Sequence, residues 1–388
     1  MSIAVTDQVQ LAIAKESTYG EQVTGANLQL LRFTSESLTQ EQSTTQSAEI
    51  RPDRQVSDVI RTNVNGGGDL GFELSYGSYD VLLKSALMAD SDWSTPVTDI
   101  AADTTISVDD TDNSFNDSGS GFTNYDQYEW IFVEGFTTAA NNGFFKITSS
   151  AAGKLIVSGG TLVTEAAGDS VSITQLGSIT NGKTSESWNA ERKYTDLSNE
   201  LALFAGVMMD TLALEFATEA VVTGTFGTLG KDEQSITSSG GTGYDAATTT
   251  NVMNCVDHVA KILEGDSSVQ LTAGSISLGN NLRARNVLGT LGAISIGAGK
   301  IELTGSIEAY YESKTLYEKF LQQTTSSLAF IAQDTAGNAY VIELLNLRYQ
   351  EGDRATAGEN EDVMASLNWT AFRHPTEGIT IRIARLAA

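Results

Sequence analysis

The feature that most constrains this chain is a strand-to-helix unit that occurs twice. "GFELSYGSYDVLLKSA" at 71–86 and "SIEAYYESKTLYEKFL" at 306–321 align without a gap, matching at Glu73/Glu308, Tyr76/Tyr311, Ser78/Ser313 and Lys84/Lys319. The apolar phase matches too. Leu70, Phe72, Leu74 and Tyr76 alternate with Asp69, Gly71, Glu73 and Ser75; Ile307, Ala309 and Tyr311 alternate with Ser306, Glu308 and Tyr310. Period two predicts a strand with one buried and one wet face. "YDVLLKSALM" and "KTLYEKFLQ" then change to a short helical pattern.

The duplication extends upstream. An alternating strand ("LQLLRFTSESL", "GSISLGNNL") precedes a long connection bearing glycine and arginine, and then the matched strand. Downstream, strands are predicted in the same order in both halves. Val363, Ala365, Leu367, Trp369 and Ala371 share one face there, as do Ile379, Ile381 and Ile383. The first half alone is interrupted, by short strands such as "TTISVDD", "QYEWIFVEGF" and "KLIVSGG" between Gly, Asn and Ser turns. The predicted organisation is a first unit at 1–95 and 179–234, a small inserted β domain at 96–178, a linker at 235–267 and a second unit at 268–388. Within the linker, "TTTNVMNCVDHVAKILEG" predicts a short helix with Val252, Val256, Val259 and Ile262 on one stripe. With 36 glycines, 3 prolines and many Ser/Thr turns, the fold class is mainly β.

Forty-nine acidic against 23 basic residues give a net charge of −26, which repels phosphate backbones and argues against nucleic-acid affinity. The segment "MSIAVTDQVQLAIAKESTYG" lacks the basic and apolar regions of a secretory signal, and "LALFAGVMM" is too short to span a bilayer. With the single Cys255 no intrachain disulfide forms, which fits a reducing compartment such as cytoplasm.

Candidates for chemistry each have a simpler reading. "GSITNGKT" at 177–184 satisfies the phosphate-loop pattern with Gly177, Gly182, Lys183 and Thr184, but a strand-like "SESWNAERKY" follows where a helix is required, so a turn is expected. His258, three residues beyond Cys255, lacks a third orienting group, and His374 stands before Pro375 in a turn; neither has the company of a zinc site. "DDTDNSFND" at 109–117 is rich in oxygen but lacks the glycine and closing glutamate of an EF-hand, and is read as a solvated turn. "EGDRATAGENED" at 351–362 is read as a polar hairpin loop. Trp130 and Phe136 are assigned to the inserted domain's own core. Arg51, Arg54 and Arg61 in one connection, and Arg283 and Arg285 in the corresponding stretch, are either solvated charge or carboxylate-binding groups of a loop that reaches a neighbouring subunit. No catalytic, metal or cofactor site emerges.

Four segments carry a family resemblance: "LAIAKESTYGEQVTGANLQLLRFTSESL", "QSAEIRPDRQVSDVIRTNVNGGGDLGFELSYGSYDVLLKSALM", "SESWNAERKYTDLSNELALFAGVMMDTLALEFA" and "ISIGAGKIELTGSIEAYYESKTLYEKFL". They cover most of the chain outside the insertion, and they resemble the major tail (tail tube) proteins of long-tailed, non-contractile bacteriophages. The resemblance implies two tandem β-sandwich or barrel domains, each flanked by a helix, and no catalysis. It also implies a structural virion protein whose inner strands join those of neighbours around a channel, in stacked rings through which DNA passes. Tape measure, terminator and baseplate proteins would be its partners; no membrane and no cofactor is implied. Other tail components (terminator, hub or sheath) and a cell-surface β protein are the alternatives.

Within that frame, Asp69, Glu73, Glu302 and Glu308 are the candidate channel-lining residues and Arg51, Arg54, Arg61, Arg283 and Arg285 the inter-subunit ones. Because one chain carries two units, a ring of three chains with pseudo-six-fold symmetry is expected, with a hexamer as the alternative. The inserted domain would face outward.

Overall fold

A computed structural model describes residues 3–311, 314–354, 359 and 361–388. The first half begins with β1 (Val9–Lys15), β2 (Asn27–Leu30), β3 (Ser35–Glu36), β4 (Thr39–Gln46), β5 (Val59–Glu73) and the helix α1 (Asp80–Ala86). The interruption contributes β6 (Val97–Asp103), β7 (Ile106–Asp109), β8 (Ser114–Asp117), β9 (Trp130–Glu134), β10 (Gly143–Ala151), β11 (Lys154–Ser158) and β12 (Val171–Gln175). The first half resumes with β13 (Gly177–Thr180), β14 (Trp188–Tyr194), β15 (Leu201–Ala217), β16 (Thr223–Gly230), β17 (Asp232–Ile236) and β18 (Gly243–Asp245). The second half holds β19 (Val259–Glu264), β20 (Ser267–Ser268), β21 (Ala273–Gly279), β22 (Arg283–Arg285), β23 (Ser295–Gly297), β24 (Glu302–Tyr310), α2 (Thr315–Leu321), β25 (Ser326–Gln333), β26 (Ala339–Asp353), β27 (Met364–Ala371) and β28 (Ile381–Leu386). The protein is mainly β, with two tandem sandwich-like units as the sequence predicts.

The two halves share one connectivity. In the first, β1–β14–β15–β17 form a back layer and β3–β5–β16–β15 a front layer. In the second, the counterparts are β19–β25–β26–β28 and β21–β24–β27–β26. The long strands β15 and β26 serve both layers, and a register shift marks the turn of each from one layer to the other. This explains the unbroken apolar run Leu201–Met209: there both faces of β15 are buried, whereas Leu212, Leu214 and Phe216 alternate with wetter Thr211, Ala213 and Glu215. Each helix packs on the long strand of its own half.

One apolar core lies between the layers and runs through both halves, with Phe72 stacked on Phe226 (4.7 Å) and Phe216 on Phe330 (4.6 Å). The halves are further tied where Arg385 of β28 pairs with Asp80 at the start of α1, beside the Tyr340 hydroxyl that accepts from Gly77 N at 2.9 Å. The matched lysines have matched tasks. Lys84 reaches the buried Glu186 at 3.0 Å, and Lys319 reaches the buried Glu264 at 2.5 Å. Ser313 lies outside the described residues.

Strands β6 to β12 form a separate seven-stranded sheet with its own core, which includes Phe115, Phe136 and Phe145. Trp130 differs from expectation. It leaves that core and packs with Phe144 against Ala329, Ile331, Val341, Ala384 and Leu386, the outer face of the second half's back layer. Alternate residues Leu328, Phe330, Ile342 and Ile383 fill the inner core. Both faces of this layer are therefore buried, and no polar alternation is needed in "LAFIA".

The linker helix does not form. Residues 252–254 run extended with bridges at Val252 and Asn254, 255–257 turn, and Val259–Glu264 is a strand, β19, paired with β25. The β-branched Val259 and Ile262 suit a sheet that offers an open edge, and Gly265 (φ 57°) turns the chain back into β20. The polar loop predicted from 351 is also shorter than expected: β26 continues to Asp353, opposite Ser366 of β27. Residues 355–358 and 360 of that stretch lie outside the described residues.

Candidate functional site

The front layers of the two halves merge, because β15 of the first pairs with β21 of the second from Thr211↔Gly279 to Ala217↔Ala273. The result is one sheet in the order β5–β16–β15–β21–β24–β27–β26. One face carries Leu70, Phe72, Phe226, Leu212, Leu214, Leu278, Ile276, Leu303, Ile307, Leu367 and Trp369 into the core. Register then fixes what the other face presents. Side chains in consecutive cross-strand rows are Asp69–Gly227–Thr211–Gly279–Glu302, then Gly71–Thr225–Ala213–Ser277–Thr304–Thr370–Arg348. The next row is Glu73–Thr223–Glu215–Ser275–Ser306–Asn368–Glu351, and Ala217–Ala273–Glu308–Ser366–Asp353 follows.

This face is smooth, acidic and poor in basic groups. All four acidic candidates lie on it: Asp69, Glu302 and Glu308 are exposed and Glu73 is half-buried. Sequence reasoning missed Glu215, Glu351 and Asp353, which share the face and are also exposed. The alternation in "LALEFA" carried the signal for Glu215, and the early end assigned to β26 hid the other two. In these rows only Arg348 is basic, and its guanidinium lies 5.3 Å from the Phe372 ring. Every carboxylate sits directly opposite Gly, Ala, Ser, Thr or Asn, so none faces a like charge across a strand pair.

The arginines are not gathered into one cluster. β4 and β5 form a long two-stranded arm, with Arg51 and Arg54 at its tip and Arg61 opposite Thr44 within it. Arg51 binds Asp53 at 3.0 Å, and Ile50 beside it is 98% exposed. Arg283 and Arg285 stand on β22, which pairs with β23 in a smaller hairpin whose tip exposes Val287 and Leu288. A two-stranded arm exposed on both faces is marginal unless something covers it.

The catalytic alternatives dissolve in the geometry. Gly177–Thr180 is a strand antiparallel to β28, and Asn181 Oδ1 accepts from Thr380 N and Ile381 N. Gly182 N donates to Leu87 O at 3.1 Å, so its amide is committed to a turn, and β14 follows where a phosphate loop needs a helix. His258 Nδ1 accepts from Asn254 N, and burial pushes the Cys255 thiol up, away from thiolate chemistry. Of 109–117, read as a solvated turn, only 110–113 turns: Asp109 ends β7 and Ser114–Asp117 is the largely buried β8, with Asp112 paired to Lys154 and Asp117 accepting from Gly119 N and Gly121 N. Among the described residues no helix is long and apolar enough to cross a membrane.

With this architecture in place, the comparisons with known proteins are specific. A search of curated proteins finds no match. A family model described as phage tail tube protein matches residues 6–371. That span takes in both halves, the seven-stranded sheet between them and nearly all of the acidic face, and the chain belongs to the phage tail tube protein family.

Proposed function

We propose that this chain self-assembles into stacked rings that form the tail tube of a long-tailed, non-contractile phage, and that the acidic face lines the channel through which double-stranded DNA passes during ejection. The observation that carries the reading is the β15–β21 joint. It splices one unit to the next through the front layer, and the same joint repeated between chains would close the sheet into a barrel. The edges it requires are open among the described residues. Beyond Arg348, β26 pairs only with β27, and β3, the counterpart of β21, pairs only with β5.

Three chains would then supply six units, a pseudo-six-fold ring, with a six-chain ring as the competing stoichiometry. A wall of carboxylates and small polar groups, with Arg348 its one basic residue in these rows, offers DNA few phosphate contacts, so the duplex slides with little sticking. The arm formed by β4 and β5 and the hairpin of Arg283 and Arg285 would reach neighbouring subunits, and the seven-stranded sheet, docked on the back layer, would face outward. Tape measure, terminator and baseplate proteins are the expected partners at the tube's length and ends.

Sedimentation velocity over a concentration series tests the assembly. Three-chain species that grow into larger stacks are expected; monomers at every concentration would contradict the reading.

A further inference from the structure

The segment that leads into the second half closes the end of the first. Where β5 and β16 diverge, Leu74 N donates to Val222 O (2.8 Å), Val222 N to Met253 O (2.9 Å) and Met253 N to Leu74 O (2.8 Å). Met253 is fully buried there, and Arg32 donates to Thr250 O at 2.6 Å. The chain then enters β19 as Gln333 N donates to His258 O at 2.7 Å. The entry to β1 has the same geometry: Thr195 N donates to Gln8 O at 2.9 Å. His258 and Gln8 are therefore counterparts, and counting back equally from each places Ile3 at the position of Met253. Ile3 is 82% exposed.

The second half has the matching end without the matching segment. There β24 and β27 stay paired through Tyr310↔Met364, and Tyr311 N donates to Val363 O at 2.9 Å, two residues beyond Ala309, the counterpart of Leu74. Val269 N donates to Ile262 O as Leu31 N does to Leu11 O, so Gln270 stands where Arg32 does. Beside this end is a cleft of about 490 Å³ lined by Val269, Gln270, Tyr310, Tyr311, Leu316 and Ala365.

We propose that this cleft receives the start of the segment 3–8 of a second copy of this chain, with Ile3 in the role of Met253 while Gln8 stays against Thr195 of its own chain. The inference rests on the ring reading above and deepens it. In a ring, first and second halves alternate, and each junction needs a segment leading from one half into the next. The linker provides it within the chain; residues 3–8 provide it between chains. The cleft adjoins the β24–β27 end of the front layer, so the contact continues the joint through which the rings are proposed to close.

The test uses the full chain with Cys255→Ser, Ile3→Cys and Leu316→Cys, treated with a short bis-maleimide after assembly. Chains joined covalently into dimers and higher oligomers are expected, with no such products from the Ile3→Cys, Val163→Cys control. Tubes that form but give no interchain product, or only an intrachain loop, overturn this inference and leave the ring reading intact. Absence of any assembly in the unmodified protein overturns both. Ile3→Asp provides a second readout: the concentration needed for assembly should rise at least about tenfold, as expected for the loss of one buried aliphatic side chain, with unchanged circular dichroism. An unchanged assembly threshold contradicts the proposal.

Discussion

The indole Nε1 of Trp130, on the seven-stranded sheet, donates to Glu343 Oε2 of the second half at 3.0 Å. Glu343 also takes Lys146 at 2.5 Å and Arg382 at 3.0 Å, so one buried carboxylate holds groups from both sides of the contact. Trp130→Phe should cost about 1.5–3 kcal/mol, the net worth of a hydrogen bond to a charged acceptor, and Trp130→Ala about 3–5 kcal/mol through the cavity. Denaturant melts of both variants check this; equal losses would mean that the hydrogen bond, not packing, dominates.

The acid limb of stability should depend on Glu186. Burial pushes its carboxyl up, but hydrogen bonds from Lys15 and Lys84 outweigh that and hold it below its ordinary value of 4.5. A carboxyl lowered in the folded state stabilises above its unfolded pKa, and that contribution fades as pH falls through the lowered value. Glu186→Gln should therefore be less stable at neutral pH, and the gap should close in acid. A gap that is independent of pH would refute the assignment.

Two glycines on adjacent strands should respond oppositely to the same change. A Cβ on Gly305 would meet Ser275 O at 2.0 Å and the Trp369 ring at 2.3 Å, whereas one on Gly279 meets nothing within 4 Å. Gly305→Ala should cost about 1–3 kcal/mol, and Gly279→Ala should be near neutral or slightly stabilising. Thermal melts of the pair decide it.

Charge reversal on the acidic face separates assembly from transit. Replacing Asp69, Glu73, Glu302 and Glu308 by lysine should leave tubes intact and impair DNA ejection, since each new phosphate contact slows sliding. Adding Glu215→Lys and Glu351→Lys should deepen the defect. Unchanged ejection kinetics in phage carrying the variants would remove the proposed role of the face.

What the sequence made legible followed from period two. Leu70, Phe72 and Leu74, with Ile307 and Ala309, revealed the buried face, the repeat and, by complement, Asp69, Glu73 and Glu308. Where that signal failed, tertiary context decided. Val252, Val256, Val259 and Ile262 fit a helical stripe, but the open edge of β25 claimed Val259–Glu264 as a strand. Glu351 and Asp353 read as loop because nothing local shows that β27 continues opposite them. Trp130 read as core of its own sheet because a sequence does not show which layer an insertion will lean on. The joining of the two halves through β15 and β21 is equally non-local.

The most direct test of the central claim is electron microscopy of the purified, assembled protein with end-on class averages. Hollow tubes of uniform width, with three-fold views showing six inner lobes and the seven-stranded sheets on the outside, are the predicted result. Solid filaments, or rings with density from the 97–175 region inside the lumen, would contradict it.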